Sequence, residues 1–249
     1  YGGELTSPNR GIWAESGEIT ISGGTVNGNI ETADNVTMTG GTLNGQLTID
    51  SSLSVKKNIK ISGNAKIETA SGVKSLKVYT YGNEVRSVSV EMGKASLVPA
   101  DVPVTLPGEK VLDYPAVIGG KEYRINCVSM GNPHCVVFCD RVDAVDVEAV
   151  GPQFENADIF PERVNAEFVR VVNRRTLKMR VWERGNGETL ACGTGACAAV
   201  VAAVENGYCD AGVDITVKVR GGDLIVSYTP EGVTLTGETA LAFEGTVVC

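Results

Sequence analysis

Residues 183–197 read Glu-Arg-Gly-Asn-Gly-Glu-Thr-Leu-Ala-Cys-Gly-Thr-Gly-Ala-Cys. A charged pair, a cysteine among small residues and a glycine-rich turn stand directly before a helical run. A thiol so placed meets the free N–H groups and the positive end of a helix. Both stabilise a thiolate, so Cys192 is expected to have a lowered pKa. The same N–H groups, at Gly193 and Thr194, suit a substrate carboxylate. Cys197 lies within the helix and is expected to be an inert core thiol.

Three further groups offer chemistry. Glu183 and Arg184 are adjacent in a strand, so they point to opposite faces and need not pair with each other. The guanidinium suits a carboxylate and the carboxylate suits an ammonium or a proton. Gly131-Asn132-Pro133-His134 carries the single histidine, in a turn at the mouth of a strand. Asn132 offers a donor and an acceptor, and His134 can hold or relay a proton. Asn165, after Phe160-Pro161-Glu162-Arg163, reads as a loop asparagine.

The elements that must position these groups fall into two textures. Residues 19–35 (ITISGGTVNGNIETADN) align with residues 36–52 (VTMTGGTLNGQLTIDSS) at a period of 17. A degraded third copy starts at Leu53. Short β-branched alternations broken by Gly-Gly and Asn-Gly predict strands and turns, as in a solenoid rung or a run of hairpins. From residue 66 the pattern is α+β. Strands are predicted over 74–78 and 85–91 around a turn at Tyr81-Gly82-Asn83, followed by a loop over 97–108. Further strands are predicted over 122–128, 135–139, 167–172 and 177–182, with three or four closing strands between 215 and 248. A short helix is predicted over 145–154. A longer one over 194–205 is apolar nearly all round, so it is expected to be buried within a sheet. The domain reading is a repeat-like segment at 1–65, a strand remnant at 66–105 and a second lobe at 106–249.

Bulk properties exclude several classes. A net charge of −8 and the lack of a basic cluster argue against a nucleic-acid partner. No apolar run is long enough for a membrane span. Seven cysteines fit no zinc spacing, so no metal is expected, and most read as buried small hydrophobes of a reducing compartment. The start at Tyr1 suggests a fragment or a processed product.

Taken together, GNPHCVVF at 131–138, FPERVNAEFV at 160–169 and WERGNGETLACGTGACA at 182–198 resemble the diaminopimelate epimerase family. Residues 67–74 (IETASGVK) resemble the close of that family's first lobe, and the resemblance spans about residues 66–248. It implies two strand-rich barrel lobes, each around a central helix and each giving one catalytic cysteine. It also implies a cofactor-independent isomerase of lysine and cell-wall synthesis, located in the cytoplasm. Under that resemblance Cys192 is the second-lobe acid/base. Asn132, Asn165, Glu183 and Arg184 hold the substrate diaminopimelate, Gly193 and Thr194 bind its α-carboxylate, and His134 and Glu183 set protonation. The family's Cys-Gly-Asn-Gly-like turn of the first lobe has no counterpart here, and no cysteine precedes Cys127. The expectation is therefore half of a two-thiol site, weak or absent turnover of the isolated chain, and a tendency of the open half-site to associate with another copy. The alternatives are a non-catalytic binding or scaffold protein, and a proline or hydroxyproline racemase. The charged lead-in to Cys192 disfavours the racemase, because it suits a substrate with a second charged end.

Overall fold

The computed structural model describes residues 65–69, 72–81 and 84–240, and before residue 65 the backbone of nine three-residue strands. Side chains are described from Lys74 onward, except at positions 80 and 84. Residues 82–83 of the expected turn, the start of the third repeat copy at Leu53 and the end of the closing strands beyond 240 lie outside the described residues. The chain divides into two compact units, residues 1–91 with 237–249, and residues 92–236.

In the first unit β1 (Glu4–Thr6), β4 (Thr25–Asn27) and β7 (Thr42–Asn44) form one parallel sheet. A second comprises β2 (Ile12–Ala14), β5 (Ile30–Thr32) and β8 (Leu47–Ile49). A third comprises β3 (Ile19–Ile21), β6 (Val36–Met38) and β9 (Ile59–Ile61). Ile19 pairs with Val36, Thr25 with Thr42 and Ile30 with Leu47, all at an offset of 17 residues. The strands before the repeat join the same ladders at other spacings. Glu4 meets Thr25 and Ile12 meets Ile30, offsets of 21 and 18. Self-similarity at one period does not reveal them. The antiparallel strands β10 (Ala65–Thr69), β11 (Gly72–Tyr81) and β12 (Glu84–Gly93) follow.

The second unit is built on a mixed sheet. Its strands are β13 (Tyr114–Ile118), β14 (Lys121–Ser129), β15 (Pro133–Phe138), β16 (Asn165–Asn173), β17 (Thr176–Glu183), the two-residue β18 (Gly187–Glu188), β19 (Ile215–Val219), β20 (Gly222–Thr229) and β21 (Gly232–Glu238). The strand order is β13-β14-β15-β16-β17-β19-β20-β21, with β18 paired to β17. The predicted antiparallel pattern holds except at two places. Strand β15 runs parallel to β16, and β17 runs parallel to β19. Parallel neighbours need a crossover, and each crossover carries a helix, α1 (Val147–Glu155) and α2 (Gly193–Glu205).

The helices serve two separate cores. Gly195 to Ala203 of α2 are all buried, among Val128, Val136, Val169, Met179, Ile215 and Val226. The other core gathers Phe154 of α1 with Ile125, Cys135, Val142, Phe160 and Phe168. The period-2 geometry of a strand explains the division. On β16, Ala166 and Phe168 belong to the α1 core and Val169 to the α2 core. Helix α1 starts two residues later than predicted, because the Asp146 side chain caps it by accepting the Ala149 N–H (3.2 Å). Among the described residues no helix is long and apolar enough to cross a membrane.

Candidate active site

Cys192 is the N-cap of α2, with extended backbone (φ −131°, ψ 114°). Its sulfur accepts the Gly195 N–H at 3.4 Å and lies 3.5 Å from the Thr194 hydroxyl. Gly193 and Thr194 occupy the first two helical positions, whose N–H groups have no partner within an α-helix. A cup of donors therefore faces outward beside the thiol, as expected.

The expected lowering of the Cys192 pKa is not observed. Burial and the nearby Glu167 carboxylate push it up to about 11, against the opposing pull of the Thr194 hydroxyl and the Gly195 N–H. Two hydrogen bonds to sulfur are outweighed by the loss of water and a like charge behind it. Cys192 at rest is a thiol. Cys197 is fully buried, and burial raises it to about 12, as befits a core thiol.

A hydrogen-bonded chain runs from Cys192 into the sheet. Asn132 Nδ2 donates to Thr194 Oγ1 (3.2 Å), and Asn132 Oδ1 lies 3.0 Å from His134 Nε2. His134 Nδ1 lies 2.7 Å from Glu167 Oε1. His134 and Glu167 are both fully buried. His134 is thus not in a turn but inside β15, where it pairs with Asn165 across the parallel ladder. Glu167 escaped the sequence reading. The available signal was a carboxylate at an inward position of the apolar strand NAEFV, where a charge is costly unless it is paired.

Asn165 also departs from expectation. It is buried at the start of β16 and ties two turns together. Its Nδ2 donates to Pro133 O (2.8 Å), and its Oδ1 accepts the Arg184 N–H (2.9 Å). The motifs around 132 and 184 are thereby held in one place.

Glu183 and Arg184 make no ion pair with each other. Glu183 accepts the Thr189 hydroxyl, and the Arg184 guanidinium donates to Glu162 O (2.9 Å). The turn between them and β18 needs glycine, since Gly185 and Gly187 have φ of +81° and +88°. Glu155, at the last residue of α1, grips this turn from below. Its Oε1 accepts the Gly185 N–H (2.9 Å) and Arg163 (3.0 Å), and its Oε2 accepts Trp182 Nε1 (2.7 Å). The motif's second carboxylate, Glu188, is held by Arg180 (2.8 and 3.0 Å) and Arg220 (3.1 Å), and Arg180 keeps its pKa below the usual carboxylate value. Glu188 pins the hairpin.

Asn132, His134, Asn165, Glu183, Arg184, Cys192, Gly193 and Thr194 thus come from β15, β16, β17, α2 and the turns between them. The fold that holds them is that of amino-acid racemases and epimerases. The structure superimposes on a probable proline racemase from Agrobacterium radiobacter with a TM-score of 0.52 at 14% identity, covering 73% of this chain and 61% of the other. It also superimposes on a hydroxyproline epimerase from Agrobacterium vitis (TM-score 0.51, 17% identity, 70% and 56% covered).

The sequence narrows the class. The diaminopimelate epimerase family model matches residues 126–241, and over this stretch the chain belongs to that family. It is 47% identical over 184 residues to the diaminopimelate epimerase of Acetivibrio thermocellus, covering 73% of this chain and 65% of that protein. It is 45% identical over 190 residues to that of Agathobacter rectalis, with 73% and 66% covered. The chain spans just under two thirds of the length of these curated relatives.

Proposed function

We propose that the second unit holds one half of a two-thiol site that interconverts LL- and meso-diaminopimelate without a cofactor. The observation that carries this reading is Cys192 at the entrance of α2, flanked by helix-end donors and backed by Asn132 and His134. Gly193 and Thr194 would bind the α-carboxylate, while Asn132, Asn165, Glu183 and Arg184 hold the amino groups and the distal end. His134 and Glu183 set protonation around the reacting carbon.

The chemistry is proton transfer at the α-carbon. A thiolate on one face takes the α-proton, breaking C–H and forming S–H. A thiol on the other face then donates its proton to the carbon and is left as thiolate. Helix-end donors stabilise the carbanionic charge, and a water-poor site strengthens them. Cys192, a thiol at rest, suits the donating role. The partner thiolate has no candidate among residues 1–126, which contain no cysteine. It comes from outside these 249 residues, and association with a partner would supply it.

The first unit reads as a β-solenoid of three rungs in place of most of a first lobe. Parallel pairing at the sequence period supports this. The second unit then reads as an epimerase lobe of a cytoplasmic enzyme of lysine synthesis.

The test is α-proton exchange in D₂O from each stereoisomer of diaminopimelate, with Cys192→Ala as control. The isolated chain is expected to exchange slowly or not at all while binding the substrate. Rapid exchange with full epimerisation would overturn the half-site reading. Failure to bind diaminopimelate would overturn the substrate.

A further inference from the structure

Glu167 is a fully buried carboxylate for which proton transfer at the α-carbon has no direct use. One oxygen, Oε1, is 2.7 Å from His134 Nδ1, and the other, Oε2, has no hydrogen-bond partner among the described residues. An ionised carboxylate with an unpaired oxygen in so dry a place is costly. Burial raises its pKa, and His134 opposes that rise. The pair is connected to the thiol. With Asn132 Nδ2 donating to Thr194, Asn132 Oδ1 can only accept, so His134 Nε2 carries a proton. The remaining proton lies between His134 Nδ1 and Glu167 Oε1. It rests on nitrogen as an ion pair, or on oxygen as a neutral pair. Glu167 also comes close to the sulfur from behind. Its Oε1 and Cys192 Sγ lie 2.7 and 3.2 Å from the point a β-carbon on Gly195 would occupy, so they are within about 6 Å of each other.

We propose that Glu167 is a positioning residue for the reacting thiol: sharing one proton with His134, it orients Asn132 and Thr194 beside Cys192 and sets a carboxylate behind the sulfur that holds the resting site in its thiol form. The titratable groups facing Cys192 are Glu167 from β16, Glu183 from β17 and Cys197 on α2 itself, with His134 of β15 facing Glu167. Glu167 stands first among the charges that raise Cys192. The consequence for function is a division of labour: Cys192 waits as the donor, and the opposite thiol must be the base.

The inference rests on Cys192 being the reacting thiol, yet its test needs no turnover. The full chain and its Glu167→Gln variant are alkylated with iodoacetamide from pH 7 to 10.5, and modification at Cys192 is followed by mass spectrometry. Glutamine keeps the shape and a hydrogen bond but can neither ionise nor take a proton. A purely structural role therefore leaves the profile in place. The expected result is a downward move of about one pH unit, giving about tenfold faster alkylation at pH 8. An unchanged profile in a folded Glu167→Gln protein overturns the proposal. Should the variant not fold, the wild-type chain still decides. It has a single histidine, so ¹⁵N-histidine spectra report His134 alone. A protonated Nε2 with a strongly deshielded proton on the Nδ1 side is expected, and an Nε2 without a proton sinks the idea. An unchanged profile in a chain that exchanges substrate protons would remove this inference and leave the epimerase reading standing. The converse result would do the opposite.

Discussion

Glu167 Oε1 lies 2.7 Å from where a β-carbon on Gly195 would stand, closer than real β-carbons approach other atoms. The glycine in the first turn of α2 is therefore there to admit a carboxylate from the neighbouring strand. In an unencumbered helix, glycine to alanine gains about 1 kcal/mol. Here Gly195→Ala is expected to cost about 1–3 kcal/mol through overpacking. Urea unfolding decides the sign, and a variant as stable as the parent would show that the carboxylate has room to move.

Glu155 is the second buried carboxylate that serves the site without reaching it. Three donors lose their acceptor in Glu155→Ala: Trp182 Nε1, the Gly185 N–H and Arg163. A loss of about 2–4 kcal/mol is expected, most of it from leaving part-buried donors unpaired. Glu155→Gln should lose less, because the amide oxygen still accepts one of them. Chemical denaturation of both variants checks the order, and equal losses would argue that the charge and not the hydrogen bonds matters.

Gly151 is where α1 comes into contact with Trp182. A β-carbon there would fall 2.4 Å from two ring atoms. Gly151→Ala should destabilise by about 2–4 kcal/mol. Combining it with Trp182→Leu, which removes the ring, should recover part of that loss. A double-mutant cycle with no coupling would contradict the contact.

Alkaline pH should weaken the fold through its buried thiols. Cys192 and Cys197 stand at about 11 and 12 in the folded chain, against the ordinary value of 9.0. Above pH 9 the unfolded chain releases protons that the folded chain keeps. The unfolded state then binds fewer protons, so stability falls as pH rises. The contribution is complete below pH 9 and is lost between about 9 and 12, by at most about 1.4 kcal/mol per pH unit for each thiol. Urea midpoints at pH 8, 9.5 and 10.5 should fall, and Cys197→Ala should flatten the fall. A midpoint that stays constant to pH 10.5 would refute the raised values.

The strands that escaped the sequence reading did so for identifiable reasons. Strand β13 contains Pro115, which reads as a breaker. It survives because β13 ends the strand order, where one side needs no ladder partner. Strand β18 has only two residues, too few for any alternation to register. The first strands of the first unit pair at 21 and 18 residues instead of 17, so their place in the ladders cannot be read from self-similarity. Helix α2, by contrast, was plain, because apolar residues on every side leave it no stable position except inside a core.

By itself the sequence determined which residues could do chemistry, that Cys192 opens a buried helix, and the 17-residue register at which Ile19 meets Val36. These follow from local rules, namely backbone geometry, side-chain period and glycine placement, which act over a few residues. Tertiary structure alone decided the electrostatics. It turned Cys192 from an expected thiolate into a thiol, because Glu167 lies 25 positions away in sequence but within about 6 Å in space. It made Asn165 a brace between Pro133 and Arg184, and it set Glu155 at a helix C-terminus, where the helix dipole disfavours a carboxylate. Charge and desolvation depend on what the fold brings near and what water it removes, and no window of sequence contains either.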